Sequence, residues 1–155
     1  MTEEAKTNEM IRLATCTYQE FAPGMGTPVR STAGHPRFQL SYKLAGHARL
    51  VTPTRDLLKI NARDAYEWGY RRLLNERGID AIRNELVAIA GAYDLDTPLV
   101  LLCFDRLNKL PPADAWCHRS MLAAWWTEQT GDPVPELGAQ PTTAPTPPPT
   151  LFDVG

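Results

Sequence analysis

The chain has 155 residues, a net charge of −2, 43% apolar residues and 22% charged ones. No run approaches the roughly 18 apolar residues of a membrane span, and the opening Met1-Thr2-Glu3-Glu4 is no secretory signal. These features exclude a membrane protein, a secreted disulfide scaffold, a fully disordered chain and a global electrostatic pull toward nucleic acid.

The expected organisation is a polar, frayed stretch over residues 1–9, one domain over residues 10–138, and a tail over residues 139–155. The tail holds five prolines and a single charge, Asp153, so it favours extended, unpacked conformations. The remaining 138 residues suffice for one core and are too few for two domains.

Within the domain, residues 11–18 alternate in part and carry Thr15, Thr17 and Ile11, which predicts a first strand. Residues 22–28 hold Pro23, Gly24, Gly26 and Pro28 and read as loop. Residues 29–37 read as a short strand followed by a turn. Residues 38–44 are ambiguous, and residues 48–52 read as a strand stopped by Pro53.

Two helices follow. Asn61 can cap the first, with Asp64 three residues on. Tyr66, Tyr70, Leu73 and Leu74 share one face of it, and Gly78 stops it. Asp80 can cap the second, where Ile82, Leu86, Ile89 and Ala90 recur at helical spacing. Residues 99–104 form a continuous apolar run bounded by turn residues, the pattern of a central strand buried on both faces. Residues 105–115 read as a polar loop. A last helix begins near Cys117, carries Met121, Leu122, Trp125 and Trp126, and ends at Gly131, ahead of an extended closing segment over 132–137. The expected fold is a small three-layer Rossmann-like α/β domain with a mostly parallel sheet.

Ligands of open α/β sheets bind beyond the C-terminal ends of strands, beside helix N-termini. Cys103 and Asp105 fall at such a strand end, and Cys117, His118, Arg119 and Ser120 at such a helix start. Free N–H groups there favour an anion, and Arg119 can add a two-pronged contact. His118 can move a proton near neutral pH. The same field would lower the pKa of Cys117.

These residues also carry a resemblance. Leu99-Val100-Leu101-Leu102-Cys103-Phe104-Asp105, followed by Trp116-Cys117-His118-Arg119 opening a helix, resembles the bacterial and phage family called domain of unknown function 488. Its members show a strand ending in Cys-x-Glu, a loop, then Cys-His-Arg. The likeness extends from about residue 11 to residue 137, with Val29-Arg30 similar to a Val-Arg pair after the family's first loop. Asp105 stands where Glu is usual, and Pro28 where the family has Asp. The resemblance implies a Rossmann-like fold and no particular reaction.

Each residue has a plainer reading. Cys117 is either a nucleophile partnered by His118 or a structural thiol, and adjacent residues at a helix start do not normally face each other. Cys103 is either a site residue or core filler. His118 and Arg119 either meet a ligand or cap the helix and pair with a carboxylate such as Glu136. Arg30 and Arg37 flank a turn with Gly34 and either complete the pocket or sit in a solvated loop. Trp116, Trp125 and Trp126 are mostly core, though one could stack on a base. Cys103, Cys117 and His118, with Cys16 or Asp105, could supply metal ligands, but there is no C-x-x-C, no paired histidine and no H-E-x-x-H, so no metal is expected. The residues name no cofactor.

The expected function is therefore an enzyme acting on a phosphate-bearing or nucleotide-like substrate, with His118, Cys117 and Asp105 as catalytic residues. Arg119, Ser120, Arg30, Arg37 and Cys103 would bind the ligand. The alternatives are a non-catalytic anion or nucleotide module, and an interaction protein recruited through its tail. Three cysteines cannot all pair, and without a secretory signal they read as reduced thiols in a cytoplasm. Leu151-Phe152 resembles the final pair of peptides that dock into the DNA polymerase sliding clamp, although the glutamine that usually opens them falls at Pro148. The plainer reading is an end that folds back on the domain.

Overall fold

The structure, a computed structural model, describes residues 11–91, 97–104 and 116–138. The expectations for residues 1–9, for the loop 105–115 with Asp105, and for the tail with Leu151 and Phe152 lie outside the described residues.

Four strands, β1 (Leu13–Thr17), β2 (Thr27–Arg30), β3 (Gly46–His47) and β4 (Leu99–Cys103), form one sheet in the order β1-β4-β2-β3, with every pairing parallel. Leu13 lies opposite Leu99, and Val29 opposite Leu101. All five residues of β4 are buried, as its continuous apolar run requires. The helices are α1 (Arg55–Leu58), α2 (Arg63–Arg77), α3 (Ile79–Ala90) and α4 (His118–Thr130).

Strand alternation sorts the core into two layers. Leu13, Val29, Leu99 and Leu101 pack with Tyr70 and Leu74 of α2, Leu86 of α3, and Trp125 and Trp126 of α4. Ala14, Cys16, Val100 and Leu102 face the other way, against Tyr18 and Phe21, where Leu40, Tyr42 and Leu44 of non-helical chain cover them. The result is a small Rossmann-like α/β domain. None of the described helices is long and apolar enough to cross a membrane.

Three local expectations are corrected. The strand expected over 48–52 is instead the two-residue β3 followed by a 3-10 turn over Arg49–Val51. Glu85 of α3 accepts the N–H groups of Arg49 and Leu50, each at 3.0 Å, and Thr52 Oγ1 donates to the Ala48 carbonyl at 2.8 Å. These bonds satisfy the backbone without a strand partner. Asn61 does not cap α2, which starts after Ala62 with no side-chain cap. Asp80 lies inside the first turn of α3, after Gly78 at φ +89°, and serves the helix dipole rather than its cap.

The closing segment extends the sheet beyond β1. Thr15 N–H donates to the Pro135 carbonyl at 2.9 Å, and Leu137 N–H donates to the Thr15 carbonyl at 2.7 Å. Glu136 is thereby held beside β1, near the N-terminal end of α4.

Candidate functional site

The C-terminal end of β4 delivers Cys103, and the residue before α4 delivers Cys117. Cys117 is the N-cap, with extended backbone at φ −153° and ψ 156°. It is therefore not on the helical spiral, and its side chain leaves in a direction that a helical residue could not reach. This decides a point that sequence spacing gets wrong. Cys117 Sγ lies 3.7 Å from Nδ1 of its own neighbour, His118, and 2.7 Å from Cys103 Sγ.

The tautomer of His118 follows from its other nitrogen. Nε2 lies 3.0 Å from the Ser31 carbonyl and 3.2 Å from Ser31 Oγ. The Ser31 hydroxyl spends its hydrogen on the Leu102 carbonyl at 2.8 Å, so both Ser31 oxygens accept. Nε2 thus carries a proton, and Nδ1 is left to exchange one with Cys117. The ring is further held by an edge contact with Tyr70, at 5.7 Å between centroids.

Behind the thiols lies Arg119, fully buried. Its Nε donates to Glu136 Oε1 at 2.8 Å and its Nη2 to Oε2 at 3.2 Å, while Nη1 donates to Cys103 Sγ at 2.7 Å. Glu136 also accepts from Thr15 Oγ1 at 2.7 Å and from Gly138 N–H at 3.0 Å. Every one of these groups is held by the closing segment or the sheet.

The electrostatics follow from this packing. Burial alone would push the Cys117 thiol up, but the hydrogen bond from Cys103 and the charges of His118 and Arg119 hold it well below the ordinary thiol value. Burial works against the Arg119 charge, and the Cys103 sulfur and Glu136 carboxylate more than offset it, holding the guanidinium above its usual value. Cys16, on the other face of the sheet, is pushed up by burial to about 11.

A cleft of about 370 Å³ is lined in part by Cys103 and Cys117. That is within the range of small-molecule sites, roughly 300–1,000 Å³. Cys103, Cys117 and His118 are among its lining residues. Its lining is largely apolar, with Tyr66, Trp116, Phe104, Leu58, Ile60 and Pro53 beside the polar Thr32. Tyr66 and Trp116 stand 5.1 Å apart between ring centroids, tilted at 57°.

The residues named from sequence divide accordingly. Cys103, Cys117 and His118 come together. Arg119 stands behind the thiols and is bound to Glu136. Ser120 is exposed, and its N–H donates to the Cys117 carbonyl at 3.0 Å. Arg30 turns its Nε to the Thr32 carbonyl at 2.9 Å and its Nη2 to the Ala33 carbonyl, and Arg37 is exposed. Neither arginine lines the cleft. Ser31, Thr32, Tyr66 and Trp116 are contributors that sequence reasoning passed over as site residues. Tyr66 carried only a core signal, Trp116 was one of three tryptophans read as mostly core of which one could stack on a base, and Ser31 followed the Val29-Arg30 pair without a signal of its own.

Cys103, Cys117 and His118 offer three donor atoms within 4.8 Å of one another. Two thiolates on one tetrahedral zinc stand about 3.8 Å apart, given Zn–S bonds of about 2.3 Å. The two sulfurs lie 2.7 Å apart, in direct contact and closer than two ligands spread around one ion. Compared with family models, curated proteins and solved structures, the chain has no match.

Proposed function

We propose that the chain is a thiol-dependent enzyme in which Cys117 is the nucleophile. The observation that carries this is that Cys117, a residue lining the cleft, has its Sγ 2.7 Å from Cys103 Sγ and 3.7 Å from His118 Nδ1. Cys103 donates a hydrogen bond to the thiolate, and His118 returns a proton to the leaving group. Arg119 and Glu136 position Cys103 from behind. The substrate is nucleotide-like in that a flat, apolar part packs on Tyr66 and Trp116. The Arg119 guanidinium is fully buried and turned to Glu136 and Cys103, which favours a role in positioning the thiols over direct contact with a substrate phosphate. The same two motifs, the strand ending at Cys103 and Cys117-His118-Arg119, support our proposal that the chain is related to the domain of unknown function 488 family. A reducing cytoplasm suits an enzyme that works through a thiolate.

The test is covalent trapping. Reduced protein is incubated with activated esters and nucleotide-derived electrophiles, and intact mass is followed. An adduct on Cys117 in the wild type and in Cys103→Ser, absent from Cys117→Ser, supports the proposal. Equal labelling of wild type and Cys117→Ser refutes it. The aromatic wall is independent of the thiols and favours one second reading, a binding module. Equal calorimetric affinity of a nucleoside for wild type and Cys117→Ser, with no turnover by either, selects that reading.

A further inference from the structure

Cys103 and Cys117 are 14 residues apart in sequence and sit on different elements, a strand end and a helix N-cap. Their sulfurs are 2.7 Å apart, which is closer to the approximately 2.05 Å of a disulfide than to the spacing on a shared zinc. Both line the cleft, so a small oxidant has a route to them. The third cysteine, Cys16, is buried in the opposite layer of the core and joins neither. Arg119 Nη1 reaches Cys103 and His118 Nδ1 reaches Cys117, so each sulfur has its own polar partner.

We propose that Cys103 and Cys117 form a two-electron thiol–disulfide couple that a small peroxide oxidises through the cleft. The inference rests on the reading of Cys117 as the reactive thiolate and adds a second chemical role for Cys103. In the first step the Cys117 thiolate attacks one oxygen of hydrogen peroxide. The O–O bond breaks, Cys117 becomes a sulfenic acid, and the departing hydroxide takes a proton to become water. In the second step the Cys103 sulfur attacks the Cys117 sulfur, its proton leaves with the sulfenic hydroxyl, and a second water forms with the disulfide. Two thiols lose two electrons and two protons, and the peroxide gains them. The resulting bond ties β4 to the start of α4 and removes the nucleophile, so the same step switches off Cys117-dependent turnover until a dithiol reduces it.

The experiment treats the reduced full chain with one equivalent of hydrogen peroxide, alkylates it in denaturant, and maps the digest by mass spectrometry. The expected result is a Cys103–Cys117 cross-linked peptide, Cys16 fully alkylated, and complete reversal by dithiothreitol. In Cys103→Ser, which lacks the second thiol, the Cys117 sulfenic acid should persist and be trapped by dimedone, whereas in the wild type it should pass on to the disulfide. In Cys117→Ser, oxidation at Cys103 should be slower by at least about tenfold, since the more ionised thiol leads. Progress of wild-type Cys117 to sulfinic acid while Cys103 stays alkylatable would overturn the couple and leave the nucleophile reading intact. Failure of Cys117 to react with either peroxide or iodoacetamide would overturn both. Isolation of the chain with one equivalent of zinc, released only when both thiols are capped, would also overturn the couple.

Discussion

Arg119 and Glu136 form a two-point ion pair, at 2.8 and 3.2 Å, directly behind the two thiols. Arg119 is fully buried and Glu136 partly exposed, and the third arm of the guanidinium ends on Cys103. A buried charge without its partner is expensive, whereas replacing both partners is much less so. Arg119→Met should therefore lower unfolding stability by about 3–5 kcal/mol, read from urea denaturation midpoints. Arg119→Met combined with Glu136→Leu should recover part of that loss. A single variant as stable as wild type would show that the pair does not hold the closing segment.

Cys117 should ionise at lower pH than an ordinary thiol of about 8.5. Its alkylation by iodoacetamide should level off at lower pH than that of an ordinary thiol and should outrun alkylation of Cys103. Replacing Arg119 removes one of the charges that favour the thiolate, so the pH–rate curve of Cys117 in Arg119→Met should move toward higher pH. A curve centred on the ordinary thiol value in the wild type would contradict the electrostatic account.

His47 supplies a second pH dependence away from the cleft. Burial, then the charges of Arg30 and Arg49, push its pKa down to about 4. Its Nε2 donates to Thr52 Oγ1 at 3.0 Å, since the Thr52 hydroxyl gives its own hydrogen to Ala48. The folded state thus prefers neutral His47, while the unfolded chain protonates it near 6.5. Its contribution is complete above the unfolded value and is lost as pH falls from about 6.5 toward 4. His47→Gln should flatten the stability–pH profile across that window, as followed by thermal melts. An unchanged slope would assign the acid sensitivity elsewhere.

Gly26 has φ +148°, and a Cβ there would stand 2.5 Å from the Pro98 carbonyl oxygen and 2.9 Å from Val100 Cγ2. Both neighbours belong to the entry of the central strand, so they cannot easily give way. Gly26→Ala should destabilise the fold by about 1–3 kcal/mol from backbone strain alone, and by more if the contact is not relieved. Gly24→Ala, where a Cβ meets nothing within 4 Å, is the matched control. Equal melting temperatures for the two variants would remove the close-approach argument.

The cleft walls make a separate prediction. Trp116→Ala should weaken binding of a planar ligand by about tenfold or more, the scale of a lost aromatic contact of about 1.5 kcal/mol. It should leave the alkylation rate of Cys117 within about twofold, because the groups that favour the thiolate, Cys103, His118 and Arg119, all stay in place. Loss of both together would mean that Trp116 supports the fold of the site rather than its specificity.

Much of the architecture was legible along the chain. The unbroken apolar run 99–103 has no exposed face to offer, so it could only be a central strand, and it is one. Ile82, Leu86 and Ala90 repeat at helical spacing and are the buried stripe of α3. Gly131, at φ +84°, ends α4 where a left-handed residue is needed. The proximity of Cys103 to the Cys117-His118-Arg119 start also followed from the rule that strand ends and helix starts meet at one edge of a parallel sheet. Tertiary structure alone decided the rest. Whether Arg119 faces a ligand or Glu136 depended on the closing segment bridging to Thr15, a contact across 121 residues. Whether 48–52 extends as a strand depended on Glu85 arriving from α3 to take two of its N–H groups. Whether Cys117 and His118 face each other depended on one pair of backbone angles at the N-cap. Local pattern encodes which faces must be buried. Which polar group meets which other is set by where distant segments dock, and spacing along the chain carries no trace of that.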